Sequence, residues 1–113
     1  MDASVTAVLV TYRSRGTIRR ALDHLAPACE QGLAECIVVD NASDDGTVDV
    51  VRDEFPWVRL YSSGGNIGYG RANNLALAIT RTPYILFLNP DARIDVEQIA
   101  RMLAFLNANP QAA

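Results

Sequence analysis

Hydrophobic and polar positions along this chain follow two alternating periods. Val5 to Tyr12, VTAVLVTY, is β-branched and apolar on both faces, the pattern of a central strand in a parallel sheet. Ile18, Ala21, Leu22 and Leu25 then recur at helical spacing, with Ser14 or Thr17 near the start and Pro27 and Gly32 closing the segment. Glu35 to Asp40, ECIVVD, predicts a second buried strand, and NASDDGT after it is a turn. Thr47 to Phe55 predicts a short helix with Val48, Val51 and Phe55 on one face, ended by Pro56. Trp57 to Ser62, WVRLYS, alternates as an edge strand does. The loop SSGGNIGYG leads into a helix with Ala72, Leu75, Ala76 and Ile79 on one side. PYILFLN predicts the fourth strand. Asp95 is placed to cap a last helix whose stripe is Ile99, Met102, Leu103 and Leu106, stopped by Pro110.

The resulting order, β-α-β-α-β-α-β-α, implies an α/β fold with a parallel sheet, helices on both faces and right-handed crossovers. The pattern contains no internal repeat and no linker, so residues 1–113 are expected to form a single domain. In such sheets ligands bind beyond the carboxyl ends of the strands, where the strand order reverses. Four stretches qualify: TYRS, DNASDDGT, the glycine-rich loop and NPDA. The polar, unusual residues of the chain gather in them.

Composition adds exclusions. A chain of 113 residues, half hydrophobic and a fifth charged, can bury a sizeable core without staples. The net charge is -3, and the ten basic residues, all arginine, are scattered, so no nucleic-acid footprint is expected. Cys29 and Cys36 match no zinc spacing and are expected to be reduced thiols. The N-terminus carries Asp2 and no basic region, and the apolar run Ala7 to Val10 is too short for a signal peptide or a membrane span. A cytoplasmic location is the expectation.

Each carboxyl-end stretch has a chemical reading beside a plainer one. Pro90 biases Asn89 toward extended backbone, so Asp91 is held just past a straight strand, where a carboxylate can ligate a divalent cation. Asn-Pro-Asp is also ordinary turn chemistry. Asp40 can accept hydrogen bonds from a base or ribose, or can cap the loop behind it. GGNIGYG fails the G-x-G-x-x-G spacing and follows the third strand, so it is no dinucleotide fingerprint. Its glycines serve close approach or tight turning. Tyr12 can offer a face to a planar base or pack into the core. His24 is expected to be a surface or helix-packing residue, and Asp44-Asp45 to cap the helix after Gly46.

The order of these signals is more specific than any one of them. VLVTYRS, IVVDNASDDGT, NIGYGRANN and FLNPDA together resemble family 2 glycosyltransferases of the GT-A fold, in their rhamnosyltransferase-like branch. The resemblance covers Val8 to about Leu106. It implies a Rossmann-like nucleotide-binding half with strand order 3-2-1-4. It also implies inverting transfer of a sugar from a nucleotide-diphosphate sugar, with dTDP-rhamnose a candidate donor, to an acceptor hydroxyl on a glycan or lipid-linked glycan in cell-surface polysaccharide synthesis. By the same resemblance Thr11 and Tyr12 lie against the base with Arg13 at the same edge, Asp40 reads base or ribose, and Asn66 and Gly68 shape the loop beside the nucleotide. Arg71 and Asn74 open the next helix, and Asp91 binds Mg or Mn. The family's commoner Asp-x-Asp is replaced here by Asn89-Pro90-Asp91. Nothing after Asp91 matches the family's catalytic base, so no catalytic residue is assigned, and the resemblance implies the donor-binding half without the acceptor half. The alternative is a nucleotide-binding or structural fragment with no catalysis of its own. The hydrophobic edge YILFL is expected to self-associate, through that strand or the last helix, and the enzyme to act in the cytoplasm or at the inner face of the membrane.

Overall fold

Every residue of β1 (Val5–Thr11) is buried, because the strand is covered on both faces and paired on both edges. The structure is a computed structural model and describes residues 3–112, so Asp2 lies outside the described residues. β2 (Ala34–Asp40) runs parallel to β1 on one side and β4 (Tyr84–Leu88) on the other, while β3 (Arg59–Ser62) extends the sheet beyond β2. The order is β3-β2-β1-β4, as the resemblance implied, and the fold is the expected Rossmann-like α/β half.

Side-chain alternation along the strands builds two cores. Ala7 and Leu9 of β1, with Cys36 and Val38 of β2, face α1 (Arg15–Glu30), α2 (Thr47–Glu54) and α4 (Val96–Ala108). Val8, Val10, Ile37 and Val39 face α3 (Tyr69–Ile79), whose small Ala72 and Ala76 allow the helix to lie close to the sheet. Helices therefore cover both faces, three on one side and one on the other.

Several boundaries differ from the sequence pattern. α1 continues through Pro27 to Glu30. Leu25 and Ala28 hold the last turn against the sheet, and Pro27 points to solvent. The helix stops at Gly32, at φ 74, with Gly32 N–H donating to Cys29 O and Leu33 N–H to Ala28 O, a Schellman closure. β3 begins two residues after Trp57, because Val58 N–H still donates to Phe55 O in a turn. In α2 the buried stripe is Thr47, Val50 and Val51, with Val48 only half-buried. Leu75 of α3 is exposed, since Ala72 and Ala76 carry the contact. In α4, Ile99 and Leu103 are buried while Met102 is exposed, and Asp95 forms the expected cap, accepting from Gln98 N–H as Gln98 accepts from Asp95 N–H. β4 has β1 alone as a partner, so its apolar residues are only partly covered and Phe87 is exposed.

The cysteines are free thiols. Burial raises the Cys29 thiol to about 11 and pushes Cys36 higher still, so neither is a thiolate at neutral pH. The His24 ring donates from Nδ1 to Arg20 O at 2.8 Å, one turn back on α1. Among the described residues no helix is long and apolar enough to cross a membrane.

Two consequences are measurable. Ile37 is fully buried between β1 and α3, so Ile37→Ala should lower unfolding free energy by about 2–5 kcal/mol in denaturant titration. The Arg19 guanidinium ties α1 to Glu54 of α2 through Nε at 2.8 Å and Nη2 at 2.6 Å. That hydrogen bond, then desolvation opposing it, leaves the Glu54 carboxyl below its ordinary value of 4.5. A depressed carboxylate stabilises above its unfolded value and loses that contribution as pH falls through its folded value. The stability gap between wild type and Glu54→Gln should therefore hold at neutral pH and close as pH falls below the ordinary carboxyl value of 4.5 and through the lowered folded one in acid melts.

Candidate functional site

The strand order reverses between β1 and β4, and a cleft of about 450 Å³ opens at their carboxyl ends. Tyr12 and Arg13 line one wall, Asn89, Pro90 and Asp91 the other, with Val10 between. A larger cleft of about 830 Å³ lies against Ser4, Glu35, Arg59 and Arg81 at the amino end of the sheet, away from the strand tips. The position at the reversal, and the carboxylate in it, favour the smaller cleft as the ligand site.

The wall from β1 is shaped by the acidic loop after β2. Thr11 Oγ1 donates to Asp40 Oδ1 at 2.6 Å, linking the paired tips of the two strands. Asp40 is 2% exposed, and its oxygens also accept from Ser43 Oγ at 2.6 Å and Ser43 N at 2.8 Å. Ser43 Oγ in turn accepts from Arg13 N at 2.8 Å. Arg13 has φ 51 and Ala42 φ 59, both in the left-handed region that non-glycine residues adopt only when held there. The Arg13 guanidinium forks onto Asp44 at 3.0 and 3.1 Å and lies 5.2 Å from the Tyr12 ring centroid. Asp45 accepts from Thr47 Oγ1 at 2.5 Å, from Thr47 N at 3.1 Å and from Arg15 N at 3.3 Å. The Thr47 hydroxyl bond holds its carboxyl below the usual range. Asp45 thus caps α2 as expected, whereas Asp44 pairs with Arg13.

The wall from β4 is a tight turn. Ala92 N–H donates to Asn89 O at 2.9 Å, so Asn89-Pro90-Asp91 bends immediately after Leu88 and presents Asp91 at the cleft. The two oxygen donors there are the Asp91 carboxylate and the Asn89 amide. Among the described residues no group of three or more His, Cys, Asp or Glu could hold a metal alone. One carboxylate suits a hard cation that brings phosphate oxygens and water of its own, so the donor set fits Mg or Mn only together with a diphosphate.

The predicted residues fall into three groups. Tyr12, Arg13 and Asp91 share the cleft, and Tyr12 is 43% exposed, which removes core packing as its role. Thr11 and Asp40 are buried directly behind it, with the Asp40 carboxylate engaged by the loop it caps. Asn66 and Gly68 lie in the glycine loop, where Gly68, at φ 89, precedes α3. Arg71 and Asn74 are exposed on α3, against the other face of the sheet, and do not line the cleft. Next to Asn74, Asn73 Oδ1 is buried without a partner among the described residues. Three polar residues were missed from sequence: Ser43, Asn41 and Ser63. Asn41, 2% exposed, donates from Nδ2 to Gly68 O at 3.3 Å and accepts from Ser63 Oγ at 2.7 Å. The signal for Asn41 was its place directly after Asp40 at a strand tip.

The chain is similar to known proteins in sequence and in fold. The chain is 38% identical over 78 residues to an N-acetylglucosaminyl-diphospho-decaprenol L-rhamnosyltransferase of Mycobacterium tuberculosis, covering 69% of this chain and 25% of that protein. It is 28% identical over 103 residues to the low-salt glycan biosynthesis hexosyltransferase Agl10 of Haloferax volcanii, covering 87% of this chain and 31% of that one. S. aureus TarS 1-349 in complex with UDP-GlcNAc superimposes with a TM-score of 0.81 at 27% identity, over 96% of this chain and 32% of that one. The mannosyltransferase PcManGT from Pyrobaculum calidifontis, in complex with GDP-Man and Mn2+, gives 0.80 at 25% identity, over 94% of this chain and 33% of that one. The chain thus spans between a quarter and a third of the length of these four. The profile of Glycosyl transferase family 2 matches residues 6–113, which is nearly the whole chain, and with the sheet order and the cleft at its reversal already described, the chain belongs to that family.

Proposed function

We propose that this chain is the donor-binding part of an inverting glycosyltransferase that takes a nucleotide-diphosphate sugar and transfers the sugar to an acceptor hydroxyl. The observation that carries the reading is the shared cleft: an exposed aromatic ring and an arginine from β1 face a carboxylate from β4 across the reversal of strand order. In this reading Tyr12 lies against the base, and Thr11 and Asp40 fix the tip that carries it. The last lone-pair direction of Asp40 serves the base or ribose. Arg13 meets the diphosphate from one wall, and Asp91, with Asn89, holds the divalent metal from the other. Asn66 and Gly68 shape the loop beside the nucleotide, whereas Arg71 and Asn74, which lie outside the cleft, take no part in this reading. A metal held there supplies Lewis-acid stabilisation of the departing diphosphate. The chain's own residues orient the donor so that the anomeric carbon faces the acceptor side.

The relatives support the finer points by their own descriptions. The 38%-identical relative is named as an L-rhamnosyltransferase acting with a decaprenol-linked acceptor, which makes dTDP-rhamnose the donor and a lipid-linked glycan the acceptor we favour. With that choice we propose the cytoplasm, at the inner face of the membrane, as the place of the reaction. PcManGT is described with Mn2+, as is the glucosyl-3-phosphoglycerate synthase of Mycobacterium tuberculosis, which favours a metal-dependent site. A second reading is nucleotide binding without transfer by this chain, and one observation favours it: Asp91 is the single carboxylate lining the cleft among the described residues. A third element of the proposal is self-association through the open edge of β4 or through α4, where Phe87, Met102 and Phe105 are exposed.

Calorimetric titration of UDP and dTDP, each with and without manganese, should show binding that needs the metal. Asp91→Ala should abolish the manganese dependence and weaken binding by about tenfold or more. Tyr12→Ala should weaken it with or without metal, by about 1–3 kcal/mol if the ring stacks on the base. Transfer from dTDP-rhamnose by this chain would remove the binding-only reading, and absence of binding by either nucleotide would remove both. Sedimentation velocity should show a dimer that grows with concentration and is weakened by Phe105→Glu; a monomer at every concentration refutes the association.

A further inference from the structure

Four backbone segments meet at the carboxyl end of the sheet, and one buried residue of β2's end bonds the other three, one through its backbone and two through its side chain. Asn41 N–H donates to Thr11 O at 2.8 Å, continuing the β1–β2 ladder one residue past the strands. Its Oδ1 accepts from Ser63 Oγ at 2.7 Å, just beyond β3. Its Nδ2 donates to Gly68 O at 3.3 Å, at the start of α3. Ser63 N–H adds a bond to Asp40 O at 3.1 Å, and Ser63 Oγ also lies 2.5 Å from Gly65 O.

Within the glycine loop, Gly64 N–H donates to Ser62 Oγ at 3.2 Å and Ile67 N–H to Gly65 O at 3.1 Å, bonds that shape the loop without tying its far end to the sheet. A Cβ added at Gly64, Gly65 or Gly68 would meet nothing within 4 Å, so the loop is not wedged in place by packing. Gly64 and Gly68 have φ 85 and 89, conformations in which glycine has many alternatives. Asn66 is exposed between them. The position of the loop therefore rests on hydrogen bonds, and the Asn41 amide is the side chain that spans it from Ser63 to Gly68.

We infer that Asn41 is a positioning residue: its carboxamide clamps the glycine loop against the tip of β2, so that Asn66 and the start of α3 are already ordered when a nucleoside diphosphate arrives. This deepens the donor-site reading and rests on it. An amide is required because both ends are used. Aspartate would keep the acceptor for Ser63, lose the donor for Gly68 O, and set a charge beside that carbonyl and beside Asp40. The benefit to binding is entropic, since a loop ordered in advance is not ordered at the ligand's expense.

The test uses the whole chain with UDP and manganese, beside amide hydrogen exchange without nucleotide. Asn41→Ala should speed exchange about tenfold at residues Asn66 to Ala72 while β1 and β2 amides keep wild-type rates, and should weaken UDP about fivefold to tenfold with its manganese dependence intact. Asn41→Asp should loosen Gly68 to Ala72 as much as alanine does, and Ser63→Ala should reproduce the part near Gly64 and Gly65. Unchanged loop exchange in Asn41→Ala overturns the clamp, as does uniformly faster exchange across the sheet, which marks a merely structural residue. If wild type binds UDP and Asn41→Ala binds it equally well, the role in binding is overturned while the donor site stands. If wild type binds neither UDP nor dTDP, the donor-site reading falls and this role with it, whatever the loop does.

Discussion

The buried carboxylate of Asp40 is the constraint on which the rest of the site depends. A carboxylate with 2% exposure must find donors nearby, because an unsatisfied charge in that position would cost several kcal/mol. It finds them in the Thr11 hydroxyl and in the backbone and hydroxyl of Ser43. Meeting that demand joins the tips of β1 and β2 and folds the acidic loop back over the end of β1. Ser43 then fixes the backbone of Arg13 in a left-handed conformation, and that conformation sends the guanidinium toward Asp44 and across the Tyr12 ring. One buried charge thus determines how an exposed aromatic and an exposed cation are presented several residues away.

The second wall of the cleft is built by opposite means. Asp91 is exposed and stands on a turn at the end of the edge strand β4. It is therefore available to a cation, where Asp40 is engaged by its own loop. Two aspartates at equivalent strand ends serve different ends because one strand is interior and hydrogen-bonded to a loop, and the other is peripheral and ends at a proline. The same contrast separates Asp44 from Asp45: one holds an arginine of the cleft, the other caps α2.

The central strand explains why the two walls face each other. β1 is flanked by β2 and β4, so the loops that follow it and the turn that follows β4 leave the sheet side by side. Chain segments far apart in sequence, Tyr12-Arg13 and Asn89-Pro90-Asp91, become the sides of one cleft for that topological reason. Small residues on α3 and larger ones on α1 and α4 cover the two faces unequally, and the edge strands β3 and β4 are less buried than β1 and β2.

The sequence by itself determined the elements and the identity of the chemical groups. Strand and helix periods, the cap at Asp95 and the four carboxyl-end motifs are local properties, set by side-chain spacing and turn chemistry, and the ordered motifs were enough to identify the family. Tertiary structure decided what local pattern does not contain. Whether Tyr12 packs inside or faces a cleft depends on which loop lies over it, and whether Asp40 is open or engaged depends on Ser43 and Thr11 reaching it across two chain segments. α1 runs through Pro27 because packing of Leu25 and Ala28 outweighs the lost backbone bond, and Leu75 is left exposed because two alanines let α3 approach on another line. The coupling of the glycine loop to β2 through Asn41 was invisible for the same reason: a hydrogen bond over 27 residues is fixed by where the sheet brings its strand ends, and no spacing in the chain encodes that distance.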